Sequence, residues 1–167
     1  MSERLQELER STGEVSTVNV PVEYLIDEEY AKSVVESVKN AKSEILVCAY
    51  AWRWYENQPE IDIQKLNIAV MQASFRGVRV RCIVDNFTIY NMLKKNGIPA
   101  RYTPQNKMLH TKAICIDSEV VIVGSHNLTK RATTTNYEIS VKLTDFEAVA
   151  QFKVYFEKIW EYGCESK

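Results

Sequence analysis

The chain has 167 residues, of which 46% are hydrophobic and 26% charged, and its formal net charge is −1. That length and balance describe one globular domain with a real core rather than a disordered chain. No apolar run reaches membrane-span length, and the near-neutral total excludes a protein that holds nucleic acid by bulk charge alone.

The opening "MSERLQELERSTGEV" is charged and amphipathic and lacks an apolar signal core. It reads as a tail or frayed helix over residues 1–14 of an unexported, cytoplasmic protein, with one folded domain over residues 15–167. "DEEYAKSVVESVKNAK" predicts a helix with Asp27 as N-cap and Tyr30, Val34, Val35 and Val38 as its buried stripe. "EILVCAYA" from Glu44 predicts a buried strand. It runs into Trp52, Arg53, Trp54 and Tyr55, a cluster divided between core and ligand contact, in which Trp52 is the candidate for stacking on substrate. "EIDIQKLNIAVMQASFRG" predicts a helix with Ile61, Leu66, Ile68, Ala69 and Phe75 on its stripe and Gly77 as its stop.

"VRVRCIVD" from Val78 predicts a second strand, with Arg76, Arg79 and Arg81 facing solvent. A short helix, "FTIYNMLKKNG", leads into "IPARYT". Two strands joined by a tight turn follow, "LHTKAICID" and "EVVIVGS", then a Thr-rich loop and the strand "YEISVKL". A last helix begins near Asp145, with Phe146, Val149, Phe152, Val154, Phe156, Ile159 and Trp160 giving a broad apolar face. Alternating helices and strands followed by a run of strands predict an α/β fold, a mixed sheet covered by helices on both faces. Cys48, Cys82 and Cys115 lie in apolar runs and, with Cys164, form no CxxC pair, so they read as reduced thiols and no metal site is expected.

Charge is segregated. Residues 1–62 carry 13 acids against 6 bases, whereas residues 94–131 carry 7 bases against Asp117 and Glu119. The basic segment surrounds "MLHTKAICIDSEVVIVGSHN", which holds both histidines of the chain. In a strand His110 and Lys112 share a face, an arrangement that opposes the charged form of each in a core but suits a phosphate that both can share. Gly124 permits a turn, and Ser125 and Asn127 present donors to oxygens. Glu138 is a candidate to accept the other ring N–H of His110 and orient it. Lys107, Lys130 and Arg131 are placed to steer a polyanion.

The pattern His110-x-Lys112-x4-Asp117-x6-Gly124-Ser125-x-Asn127 resembles the HKD signature of the phospholipase D superfamily, with its spacing intact. "SEILVCAYAW", "RGVRVRCIVD", "GIPARY", Asn136 and Glu138, and the C-terminal aromatic helix extend the likeness to small single-motif members, the HKD endonucleases and Zucchini-type proteins. The resemblance implies a phospholipase D-like catalytic domain and a two-step phosphodiesterase that uses no metal and no cofactor. His110 forms a phosphohistidine, a second histidine protonates the leaving group, and Lys112 and Asn127 stabilise the oxyanion. Ser125 adds a hydrogen bond, Glu138 orients His110, and Asp117 supports the turn. His126, at the variable position of the motif, reads as packed rather than catalytic.

One motif per chain implies a homodimer with the active site on its twofold axis. DNA or RNA is the expected substrate. A phospholipase or cardiolipin hydrolase of the same chemistry, and a non-catalytic nucleic-acid-binding module, are the alternatives; membership of a larger restriction or repair assembly is compatible with all of them.

Overall fold

A computed structural model describes residues 22–103 and 107–163; the segment expected to be a tail, and Cys164, lie outside those residues. Seven strands and five helices are found among them. In chain order they are β1 Val22–Ile26, α1 Glu28–Asn40, β2 Glu44–Ala49, α2 Asp62–Phe75, β3 Arg79–Val84, α3 Phe87–Lys95 and β4 Ala100–Tyr102. There follow β5 Lys112–Ile116, β6 Val120–Gly124, α4 Lys130–Thr134, β7 Ile139–Leu143 and α5 Phe146–Tyr162. The strands form one mixed sheet in the order β1-β7-β6-β5-β2-β3-β4. Crossovers through α2 and α3 make β2, β3 and β4 parallel; the remaining neighbours are antiparallel.

Each face of the sheet has its own core. Ile45, Val47 and Ile114 pack under α1 and α2 with Val34, Val38, Leu66 and Ala69. Leu46, Cys48, Cys115 and Val121 pack under α5 with Val149 and Phe156. Strand β2 is covered on both sides and every one of its residues is buried, which is why it reads as an unbroken apolar run.

Several expectations need correction. β1 and α4 were not anticipated. β1 buries only Leu25, so it has no apolar alternation to read, and α4 is a single five-residue turn in the Thr-rich segment. Ile68 and Phe75 point outward from α2, and Phe146 and Val154 from α5, because the sheet covers a narrower stripe than the apolar count suggests. Arg81 is not solvent-facing. It donates to Glu157 at 2.9 Å, and its guanidinium lies 5.2 Å from the Phe156 ring centroid and 5.3 Å from that of Trp160. Arg81 also approaches the buried Glu44 carboxylate, which pairs with Arg79 at 2.5 Å and Lys153 at 2.9 Å. Burial alone would raise the Glu44 pKa, but Lys153 and Arg79 outweigh it and hold the carboxyl below its usual range. This ion network fastens α5 to the end of the sheet remote from the motif histidine.

The β5–β6 turn is a second fastening. Asp117 (φ 54°) and Ser118 (φ 58°) adopt the left-handed conformation of a type I′ turn, closed by Glu119 N donating to Ile116 O at 3.0 Å. The Asp117 Oδ1 accepts from Ser43 N at 2.7 Å, Ser43 Oγ at 2.9 Å and Glu44 N at 3.0 Å, and Oδ2 accepts from Lys42 N at 2.8 Å. Partial burial raises its pKa, but the backbone donors of Glu44, Ser43 and Lys42 more than offset this, and the net shift is downward. A depressed folded pKa contributes stability that is present above about pH 4, the unfolded value, and is lost as pH falls through the folded value. Asp117→Ala is therefore expected to lower unfolding free energy by about 2 kcal/mol at pH 7 in urea titrations, with a smaller deficit below pH 4.

Candidate active site

Four strand ends meet at one edge of the sheet. The registers Ala49↔Lys112, Ala113↔Val123 and Gly124↔Ser140 place the exit of β2, the start of β5, the exit of β6 and the start of β7 side by side. Tyr50, His110 and Lys112, the Ser125–Asn127 turn, and Glu138 occupy those ends.

His110 lies in the two-residue lead into β5 rather than in the strand itself, and its ring is exposed. It sits 4.7 Å from the Tyr50 ring centroid, tilted by 53°. The Lys112 Nζ stands 3.4 Å from His110 Nε2, donates to His110 O at 2.8 Å, and lies 5.0 Å from the Tyr50 centroid. Partial burial pulls the Lys112 pKa down and the Glu138 charge opposes it, with a net lowering. An imidazole nitrogen and an ammonium thus address one small volume at the surface. A tetrahedral oxyanion placed there receives a nucleophile from one and charge neutralisation from the other.

Glu138 takes a different part from the one expected. Its Oε2 accepts from Ser125 Oγ and its Oε1 from Asn136 Nδ2 at 2.9 Å; the ring partner of His110 is Lys112. Ser125 is further held by its N–H to Ile139 O at 3.0 Å and by accepting from Ile139 N at 3.1 Å. The Asn127 Oδ1 is buried and has no hydrogen-bond partner among the described residues, an unsatisfied acceptor within the motif. Gly124 is required for closeness rather than for turn freedom. A Cβ there would lie 2.3 Å from Ser140 Oγ and 2.5 Å from Ile139 O.

His126 is a strut. It is 1% exposed and stacks on Tyr30 at 4.2 Å and 5°. Its Nε2 faces Asp27 O at 2.9 Å, and its Nδ1 faces Ser140 Oγ at 2.8 Å. A carbonyl can only accept, so Nε2 carries the proton and Nδ1 accepts from the serine hydroxyl. Asp27 itself does not cap α1. At φ 48° it donates its N–H to Glu138 O at 3.1 Å, while its Oδ1 accepts from Glu138 N at 2.8 Å. The sequence held no sign of this clamp, because its partners lie 111 residues apart.

Trp52 is corrected from substrate contact to support. It is 1% exposed, its Nε1 donates to Asn67 Oδ1 at 2.7 Å, and it bridges to Leu128, the residue after Asn127. Arg53 N donating to Leu128 O and Leu128 N to Ala51 O, both at 2.9 Å, complete that link. Lys107, Lys130 and Arg131 are exposed around the motif. Among the described residues no group of three or more His, Cys, Asp or Glu side chains is arranged to hold a metal ion, and no helix is long and apolar enough to cross a membrane.

The chain belongs to the phospholipase D-like family: the family model described as "Cardiolipin synthase, PLD-like domain" matches residues 34–160. Mitochondrial cardiolipin hydrolase of Mus musculus is 34% identical over 127 residues, covering 72% of this chain and 53% of the relative. The Homo sapiens protein of that name is 36% identical over 103 residues, covering 58% of this chain and 41% of its own length. The chain therefore spans about half the length of these relatives. Among solved structures, Nuc of Salmonella typhimurium, titled a phospholipase D family member, superposes with a TM-score of 0.73 at 25% identity over 89% of this chain and 97% of that one. NucT of Helicobacter pylori superposes with a TM-score of 0.72 at 20% identity over 87% and 99%. These likenesses bear out the mixed α/β sheet flanked by helices and the single-domain architecture.

Burial lowers the His126 pKa, outweighing the Asp27 backbone bond and the Glu138 and Asp27 charges that favour the cation. With the folded value below the unfolded one, near 6.5, the neutral ring contributes stability above about pH 6.5 that is lost as pH falls through the folded value. Nitrogen-15 NMR is expected to show His126 as the neutral Nε2–H tautomer at pH 6.5; an imidazolium at that pH would contradict the strut.

Proposed function

We propose that the chain is a phosphodiesterase that cleaves nucleic acid through a phosphohistidine on His110, acts as a homodimer and needs no metal ion. The observation that carries this reading is the approach of Lys112 Nζ to within 3.4 Å of His110 Nε2 at an exposed histidine. His110 Nε2 attacks phosphorus and the bond to the leaving oxygen breaks. A second imidazole protonates that oxygen, then takes a proton from water, whose hydroxide attacks the phosphohistidine and frees His110. Lys112 neutralises charge on the non-bridging oxygens as it develops, and the Asn127 Nδ2–H2 donates a hydrogen bond to one of them. Glu138 keeps Ser125 in position and adds negative charge near Lys112.

The second imidazole is not His126, which is enclosed and bonded at both nitrogens. The reading therefore takes it from His110 of the partner subunit. An exposed apolar surface near the site supports this. Val22, Tyr24 and Ile26 of β1, Ile139 of β7 and Val123 of β6 share the sheet face on which α5 packs, yet α5 stops short of them and they are 37–61% exposed. Such a contiguous apolar patch suits self-association.

Support for nucleic acid comes from the exposed bases around the motif, Lys107, Lys130 and Arg131. A second reading, hydrolysis of a cardiolipin-like lipid, is favoured by the identity to cardiolipin hydrolases, 34% in the mouse protein. Trp52 is buried, and Trp54 and Tyr55 pack partly buried against the core under α1 and α2, which leaves the aromatic cluster little free surface for a membrane. Membership of a larger restriction or repair assembly is compatible with this reading, whereas a purely binding role would leave the nucleophile and ammonium pair without purpose.

Single-stranded DNA, duplex DNA, RNA, cardiolipin vesicles and a chromogenic phosphodiester, each offered in EDTA, separate these readings. Nucleic-acid cleavage is expected to persist in EDTA. It should fall by about 10⁴-fold or more in His110→Ala and by about 10²–10³-fold in Lys112→Ala. Turnover of lipid alone would refute the nuclease, and loss in EDTA with recovery on Mg²⁺ would refute the mechanism. Wild type co-refolded with His110→Ala should lose activity as the square of the wild-type fraction; a linear loss would mean independent monomeric sites. Ile139→Asp should yield a folded, inactive monomer by analytical ultracentrifugation.

A further inference from the structure

A groove of about 540 Å³ opens on the α5 side of the sheet, lined in part by the residues that lead into His110. Lys107, Met108 and Leu109 form one wall, and Tyr155, Lys158 and Tyr162 form the other. The three α5 residues recur at intervals of three and four and so share one helix face. Val149 and Phe156 of the same helix go into the core, leaving this face turned along the groove.

Two features join the groove to the reacting centre. Met108 is two residues before His110, so their Cα atoms are at most about 7.6 Å apart. The Tyr155 hydroxyl meets Thr111 Oγ1 at 2.5 Å, tying the α5 wall to the residue between His110 and Lys112. The surface offered is flat and apolar where it is open: Met108 is 63% exposed, Tyr162 71% and Tyr155 41%. The rim is cationic, with Lys107 and Lys158 both exposed. The nearby Asp85 is committed elsewhere, its Oδ1 accepting from Thr103 Oγ1 at 2.6 Å and from Leu109 N at 3.2 Å.

An aromatic and thioether surface bordered by ammonium groups, two residues from the proposed nucleophile, matches a planar ring carried on a polyanion. A lipid acyl chain would gain nothing from the lysines and would be better served by a closed apolar channel. We propose that this groove seats an unpaired nucleobase flanking the scissile phosphodiester, against Met108 and Tyr162, with Lys107 and Lys158 on the neighbouring phosphates. This rests on the nuclease reading and deepens it, since a base can enter only when its strand is single.

Dinucleotides with one scissile bond test this. The probes are thymidylyl-thymidine and its two analogues in which either thymine is replaced by hydrogen, cleaved by the full-length protein and by Tyr162→Ala. Removing the flanking base that the groove holds is expected to raise KM by roughly 5- to 100-fold, the range for one stacked base. Tyr162→Ala should raise KM for the intact dinucleotide comparably, and add little for that analogue. Equal KM for all three substrates, or a Tyr162→Ala penalty that is the same with and without the base, would overturn the groove assignment while leaving the nuclease intact. Hydrolysis of cardiolipin vesicles with no cleavage of single-stranded DNA, RNA or any dinucleotide would overturn both.

Discussion

The approach of Lys112 Nζ to within 3.4 Å of His110 Nε2 is the constraint around which the rest of the fold is arranged. Two groups that each disfavour the other's protonated form gain nothing from proximity unless an anion arrives between them. The sheet bears the cost of holding them there. β5 presents Lys112 from its first residue, Tyr50 at the end of β2 lies against both side chains, and α5 reaches Thr111 through Tyr155. Remove any of these supports and the natural response is for the ammonium to swing into water.

Around that pair, polar ties substitute for depth. The reacting side chains lie at strand ends, where neither apolar layer fixes them, so each is fixed by its neighbours' hydrogen bonds. Asp27 takes both backbone groups of Glu138, Glu138 takes Ser125, and the Trp52 segment exchanges backbone hydrogen bonds with Leu128, directly after Asn127. At the other end of the sheet, Asp117 gathers the backbone donors of residues 42–44, and Glu44 gathers Arg79, Arg81 and Lys153. The covered strands between them supply the apolar burial that makes these ties affordable.

The amino-acid order foretold the elements that bury whole stripes and was silent on those that do not. β2 was legible because all its residues are enclosed, β3 because Val80, Cys82, Ile83 and Val84 are, and α1 because Tyr30, Val34, Val35 and Val38 all point inward. β1 was not, since four of its five residues are exposed. At the site, the fixed spacing from His110 to Asn127 named the chemistry-bearing residues, but spacing carries no information about which side chains meet across the sheet. Glu138 was therefore assigned to His110 when Ser125 and Asn136 hold it, and Trp52 to a ligand when Asn67 holds it. Asp27 looked like a helix cap because local sequence can suggest only local partners; its real partner comes from the opposite end of the chain.

The narrow gap between Gly124 and Ser140 bears on how the protein can be redesigned. With only 2.3 Å between a hypothetical methyl and the serine oxygen, even alanine would have to wedge two strands apart. Ser125 and Glu138, one flanking each strand, would separate with them. An engineer seeking altered substrate preference has latitude along the outer helix and none at this crossing, where a hydrogen atom is the largest substituent the architecture admits.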